Sequence, residues 1–594
     1  MQLLSGSFYR DRIAKLKLQQ GRSQQLRTIR GKILDRKDRV LAIDEPKFQL
    51  CIDYKLSRVM DERVRRAGLL RALQKDNPDA AVSEVKRQIE KGLEDLEQII
   101  NKCTHFGLEG ADITGRIEKI NSRLWGLRTF LAWARNGPDQ NVLEKYDDKI
   151  VSVPLSEAIA DFEKKFPDKD KRLLLIRKVR IDDIGDTDKI QPILGLKTDD
   201  DIFAAQVEFM DINGVQILPK AFRLYPYSSV AAQTIGWVGL PQERDKKTFK
   251  EDRLSRYLGD EVCGREDGVE YVCETILRGR RGEVVYDIDR QLISRTKTRF
   301  GKDVRLTLDM ELQQRIEEYL TDCGLNSNCS APTAAVVIDV ATGDILSLVS
   351  VPVFDLNRIR QNYNSVRDDP NKPLLNRAVN EQYPPGSVIK PLILIAGFEA
   401  GEITADEVIN CPARKAPTSW PSCWLYNRYG VGHDDKWQNY VRNAVKGSCN
   451  IYFSRLANRI EPKVFQQWLF KFGYGREILA PPAAVRETGP YRNFRQAAGQ
   501  ISSTPAENAI PTFEQLPALR HSERRLFGIG QGNFRVTALQ VANAMAAIAR
   551  GGLYMPPRLF IEDGNDSESA PTDLNISPET LEVLREGMNA VVNE

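Results

Sequence analysis

Ser387 and Lys390 stand three positions apart in Tyr383-Pro384-Pro385-Gly386-Ser387-Val388-Ile389-Lys390-Pro391, a stretch that runs into the apolar segment Leu392 to Phe398. At that spacing two residues share a helix face, so one side chain can reach the other. Two prolines and a glycine end whatever precedes, and the unbroken apolar run predicts a buried helix with the serine hydroxyl at its N-terminus. Pro391 fits the first turn, where N–H groups have no intrahelical acceptor. The chemistry such a pair could do is nucleophilic. A serine hydroxyl attacks once a base takes its proton, and a lysine is that base only if its pKa is lowered. Moving it from ~10.4 to near 7 requires about 4 kcal/mol of differential destabilisation of the ammonium form. A dry pocket and the helix dipole are the expected sources. Taken alone, the same pair also describes a helix cap beside a solvated lysine.

A second pair of polar residues lies further on, Ser448 and Asn450 in Lys446-Gly447-Ser448-Cys449-Asn450-Ile451-Tyr452-Phe453. They precede an apolar helical run through Leu456, and the structural reading is an N-cap with a solvated amide. With Pro-Pro-Gly-Ser387-Val-Ile-Lys390 before it, however, the pattern resembles the class B penicillin-binding proteins, whose superfamily pairs Ser-x-x-Lys with Ser-x-Asn and Lys-Thr-Gly. The third element is absent from this sequence. The resemblance implies that Ser387 is the nucleophile, Lys390 its base, Ser448 a proton relay toward the leaving amine, and Asn450 a substrate-binding residue. It implies no cofactor, and no metal for the chemistry.

These residues need elements to position them, and the order of motifs supplies candidates. Arg30 to Arg36, Val40 to Ala42 and Phe48 to Asp53 read as short strands divided by turn residues. The first resembles the signature that opens the family's non-catalytic pedestal. From about Leu56 to Asn136 the composition turns charged and helical. Val82, Val85, Ile89, Leu93, Leu96 and Ile100, then Ile113, Ile117, Ile120, Leu124, Leu127 and Leu131, recur in steps of three and four. A break at His105 to Gly110 makes the two a helical hairpin, expected as an insertion that is either padding or a docking arm. Leu173 to Ile176 reads as a strand. Phe222 to Pro226, Thr234 to Gly239, Gly264 to Glu270 and Leu277 to Gly282 then resemble pedestal motifs in the family's order.

The sequence from Asp303 to Asp309, followed by a helix from Met310 to Leu320, leads into the catalytic part. Thr333 to Val351 predicts an antiparallel hairpin turning at Ala341-Thr342-Gly343-Asp344. Cys411, Cys423 and His433 lie in a loop with Trp420, Trp424, Tyr426 and Tyr429. In an oxidising compartment Cys411 and Cys423 could form a disulfide. Resemblance to elongation-type relatives allows instead a zinc site from Cys411, Cys423, His433 and Cys449, and unlinked thiols are the remaining possibility. Gly528-Ile529-Gly530-Gln531-Gly532 lacks the spacing and context of a phosphate loop.

The 594 residues are 41% hydrophobic and 28% charged, which is globular and multidomain. A net charge of +4 argues for neither a nucleic-acid footprint nor a polybasic anchor. Nine cysteines without Cys-x-x-Cys pairs, and three histidines, spell no zinc ribbon. No apolar run reaches the ~18 residues of a membrane helix, and no signal sequence follows Met1.

The expected fold is α+β. A juxtamembrane segment (1–29) precedes an elongated, β-rich, dimerisation-type pedestal (30–300) with its helical insertion (56–136). A transpeptidase domain (301–594) follows, an antiparallel sheet covered by helices that stops short of the third motif. The resemblance implies a peptidoglycan D,D-transpeptidase of the elongation type that acts on stem peptides and is acylated by β-lactams. Its expected partners are a membrane glycosyltransferase and elongation-complex proteins, its expected site the inner membrane with its bulk in the periplasm. An inactive scaffold and a β-lactam sensor or hydrolase are the alternatives. The chain as written is further expected to be a fragment or truncated gene model, without its anchor and third motif, and so not a working enzyme.

Overall fold

A computed structural model describes residues 22–25, 28–146, 150, 153–179, 190–196, 198–242, 244–245, 262–265, 267–286, 292–322, 332–486, 492–506, 512–562 and 570–594. Most of the segment 1–29 therefore lies outside the described residues, as does Glu266 of the pedestal motif.

Strand β1 (Arg22–Gln25) is followed by β2 (Ile33–Leu34) and β3 (Val40–Asp53). The two strands expected within 40–53 are one, and Pro46 does not divide them. Among the described residues one neighbouring strand, 215–224, flanks β3 at Pro46, so its missing N–H breaks no second ladder there. Between β3 and β4 (Ile190–Gly195) the chain makes a helical lobe. Its longest members are α1 (Pro78–Thr104) and α2 (Gly110–Arg135), the expected hairpin, in which Leu96, Ile99 and Cys103 are buried with Ile113 and Ile117. Helices continue past Asn136 as far as Lys178. Leu173 to Ile176, expected as a strand, belongs to the helix Lys169–Lys178. Asp168 caps that helix, and Leu173 and Ile176, three apart, are its buried residues; four consecutive apolar residues do not reveal this periodicity.

β5 (Val215–Leu224) returns along β3 in a long antiparallel ladder. β6 (Glu283–Tyr286) pairs with β1 on one side and with β7 (Leu292–Thr296) on the other. The pedestal motifs, scattered in sequence, meet in one buried ion network. Arg30 pairs with Glu270 at 2.6 Å and with Glu274 at 2.7 Å, and Arg223 reaches Glu270 at 2.6 Å. Buried charges are stable when paired in this way, so removing one partner would leave the others buried without full compensation.

β8 (Val304–Leu306) lies parallel to β2 and precedes α3 (Met310–Asp322). The hairpin of β9 (Thr333–Ile338) and β10 (Ile345–Val351) is antiparallel as expected, and α3 packs on β10. A second core is built around α4 (Lys390–Glu399), almost wholly buried, with α5 (Val441–Lys446), α6 (Asn450–Arg459), α7 (Ala538–Ala549) and the last helix, α8 (Pro578–Asn593). Before α8, β11 (Phe560–Ile561) adds to β8 antiparallel. The sheet order is thus β11-β8-β2-β3-β4, with β5 also on β3, so strands from both ends of the chain share one sheet.

Candidate active site

Ser387 lies in a 3₁₀ turn, Gly386–Ile389, and the α-helix proper begins at Lys390 with Pro391 in its first turn. The turn is pinned from outside. Gly386 N–H donates to the Gly530 carbonyl at 2.9 Å, and Tyr383 and Val536 exchange two backbone hydrogen bonds. A side chain at Gly530, whose φ is +68°, would place its Cβ 2.1 Å from the Gly386 oxygen, so this glycine is needed for close approach and for backbone conformation alike. Gly528 to Gly532 is therefore the brace of the serine turn.

Lys390 is 3% exposed, and its ammonium has three donors. They go to the Ser448 carbonyl at 2.7 Å, the Ser448 hydroxyl at 2.9 Å and Asn450 Oδ1 at 2.9 Å. Burial lowers its pKa to about 8, against a smaller opposing pull from the nearby Cys449 and Cys423 thiols. Three of the four residues expected at the site are thus in direct contact. The fourth, Ser387, is one turn back along the chain, and its hydroxyl has no hydrogen-bond partner among the described residues.

Ser448 owes its place to how α5 ends. Its N–H donates to the Val445 carbonyl, and the N–H of Cys449 to that of Ala444, the paired bonds of a Schellman motif. The residue after the C-cap of such a motif is left-handed and usually glycine; here it is Ser448, at φ +47°. For a residue with a side chain this costs about 1–2 kcal/mol. Gly447 keeps an ordinary φ, but a Cβ there would meet His433 at 2.6 Å. Cys449 rather than Ser448 or Asn450 caps the next helix, α6, its sulfur accepting from the Tyr452 N–H. Asn450 Nδ2 donates to the Ser422 carbonyl at 3.1 Å, which leaves Oδ1 directed at Lys390.

The cysteine loop folds against this turn. Cys411 and Cys423 are free thiols, so the expected disulfide is not formed. His433 Nδ1 sits 3.3 Å from each of the two sulfurs. Its Nε2 is 2.9 Å from the Gly447 carbonyl, a contact that makes Nε2–H the donor and turns the Nδ1 lone pair toward the thiols. Cys411, His433 and Cys449 offer ligand atoms within 4.8 Å of one another, all buried, and Asn439 donates to the Cys449 sulfur. Two thiols and an imidazole with its other nitrogen fixed, and a third thiol, Cys423, 3.3 Å from the same imidazole, are donor types of a structural zinc site. The residues present therefore fit zinc. Sequence reasoning singled out Cys411, Cys423, Cys449 and His433, and of its four expected site residues the structure brings Lys390, Ser448 and Asn450 into contact. That reasoning gave no role to Trp424, whose Nε1–H donates to the Gly447 carbonyl at 2.9 Å, or to the Ser422 carbonyl.

Two family models divide the chain between them. The one described as the penicillin binding protein transpeptidase domain matches residues 333–594, and the penicillin-binding protein dimerisation domain matches residues 26–306. The chain is 28% identical over 400 residues to the peptidoglycan D,D-transpeptidase MrdA of Escherichia coli K12, across 64% of this chain and 58% of that one. It is 30% identical over 366 residues to MrdA of Acinetobacter baumannii, across 58% and 48% of the two. The matched stretch thus spans only 58% of the length of the E. coli relative. The solved complex of PBP2 and MreC from Helicobacter pylori contains a similar fold, with TM-score 0.59 at 20% identity over 97% of this chain and 84% of that one.

Proposed function

Since the chain belongs to the class B penicillin-binding proteins of the elongation type, with a dimerisation domain ahead of a transpeptidase domain, we propose that it is a peptidoglycan D,D-transpeptidase working through an acyl-enzyme at Ser387. One observation carries the reading. Lys390 is buried beside Ser448 and Asn450, one turn from Ser387, with a pKa lowered to about 8. A solvated surface lysine would have neither the contacts nor the shift.

In this reading the neutral amine of Lys390 takes the Ser387 proton as Oγ bonds to the carbonyl carbon of the penultimate D-alanine of a stem peptide. The C–N bond then breaks. The Ser448 hydroxyl passes a proton from Lys390 to the departing amine, and D-alanine leaves. Asn450, held by the Ser422 carbonyl, binds the peptide amide. The amine of a second stem peptide attacks the ester, forming the cross-link and returning the proton to Ser387. A β-lactam follows the first half of this course and remains as an ester on Ser387.

Cys411, Cys423, Cys449 and His433 would hold zinc, which when bound supplies a cross-link between the cysteine loop and the turn before α6. The proton transfers belong to Lys390 and Ser448. In the same reading the bulk of the protein lies in the periplasm at the inner membrane, with a membrane glycosyltransferase and an elongation-complex protein as partners. MreC is such a partner for the H. pylori protein. Among the described residues no helix is long and apolar enough to cross a membrane.

The test is covalent labelling by a fluorescent penicillin. A stable adduct on the wild type that maps to Ser387 and is lost in Ser387→Ala is the expected result. Rapid release of the label would indicate a hydrolase, and no adduct at all would indicate a scaffold.

A further inference from the structure

We propose that Trp424 is a positioning residue for Ser448, acting through the carbonyl of Gly447; the proposal rests on the transpeptidase reading above. That carbonyl accepts from Trp424 Nε1 and from His433 Nε2, both at 2.9 Å. A peptide oxygen has two lone pairs, so both are engaged. The carbonyl lies in the same peptide plane as the Ser448 nitrogen, and φ of Ser448 is the rotation of its Cα substituents against that plane. Holding the oxygen from two directions therefore holds Ser448 at φ +47°, a conformation it has no intrinsic preference for.

The consequence reaches Lys390. Rotation of the plane either breaks the Ser448 N–H bond to Val445 or moves the Ser448 carbonyl and hydroxyl, which take two of the three Lys390 donors. Of the two residues gripping the carbonyl, His433 belongs to the thiol cluster. Trp424 is outside it. Trp424 is 39% exposed, so it is poorly explained as core, while its one polar side-chain atom is turned inward onto this carbonyl. A half-exposed indole usually finds water or a partner for its N–H; here that partner is the residue before the proposed proton relay.

Trp424→Phe keeps an aromatic ring and removes only the donor. Acylation by a fluorescent penicillin, followed over a range of concentrations, separates the dissociation constant of the initial complex from the rate constant of the chemical step. In Trp424→Phe that rate constant is expected to fall about five- to tenfold, the size of one neutral hydrogen bond, with the dissociation constant and Tm unchanged. Trp424→Leu, which also gives up the ring contacts with Tyr429 and His433, should lose at least as much. An unchanged rate constant in both variants would overturn the proposal. So would a weaker initial complex and a lower Tm that together account for the loss, because that describes a loop support. Absence of a Ser387 adduct on the wild type would instead remove the transpeptidase reading itself.

Discussion

At Lys390, the burial that makes a base also fixes a pH dependence. The base is the neutral amine, and its fraction grows as pH rises through the pKa of about 8. Acylation by penicillin is therefore expected to quicken from pH 6 to pH 9 and then level. Lys390→Arg, which keeps the charge but cannot deprotonate in this range, should abolish the rise along with most of the rate. A flat profile in the wild type would mean that Lys390 is not the base. Ser448 can be tested with a pair of variants. Ser448→Ala and Ser448→Gly lose the same hydroxyl, which accepts from Lys390, so acylation should fall in both, but only the glycine relieves the left-handed strain and should be the more stable of the two by about 1 kcal/mol. An alanine variant as stable as the glycine variant would contradict this account of the turn. The contact of Lys390 with Ser448 and Asn450 was legible in the sequence because the residue types and spacings of the two motifs pointed to it. Trp424 and the Ser422 carbonyl were not. Their contacts depend on where a backbone oxygen points, and no residue type or interval encodes that.

At the level of elements, the loop from Cys411 to His433 was only half legible. Three cysteines and a histidine could be named, but whether two sulfurs bond to each other or share a metal depends on how the side chains meet in space, and His433 Nδ1 lies 3.3 Å from both Cys411 and Cys423. The purified protein is expected to contain about one zinc per chain by elemental analysis, and His433→Ala to lower that content. Removing the metal with a chelator should lower Tm and slow acylation, because the loop also braces Gly447. A protein free of zinc, or a non-reduced peptide map showing Cys411 bonded to Cys423, would count against it. The helical hairpin was legible because each helix runs beyond 25 residues with apolar residues recurring in steps of three and four, although of those residues only Leu96, Ile113, Ile117 and Leu124 are fully buried. Leu173 to Ile176 was misread for the converse reason: a run of four apolar residues fits a strand as well as a helix, and only the Asp168 cap and the packing decide.

Over the whole molecule, the two matched domains share a sheet. β8 takes β2 on one edge and β11 on the other, and the core around it joins Ile33, Leu41 and Leu277 with Met310, Leu348 and Leu559. Sequence motifs indicated both domains, yet β11 has two residues and no pattern of its own, so nothing local foretold it. A sheet built this way couples the stabilities of the two parts. Glu270→Ala leaves Arg30 and Arg223 buried with weaker compensation and should cost about 3–5 kcal/mol. In calorimetry the loss is expected to move the main transition as a whole; a separate early transition of the first domain would show the two to be independent. The sheet also sets a clock on biosynthesis. Thr307 Oγ1 donates to the carbonyl of Arg558, 251 residues later in the chain. A ribosome adding about 5–20 residues per second reaches that partner on the order of 10–50 s after it has made β8. For that interval the outer edge of β8 stands open, a template for stray strands, and a nascent chain at this stage is the form most in need of a chaperone.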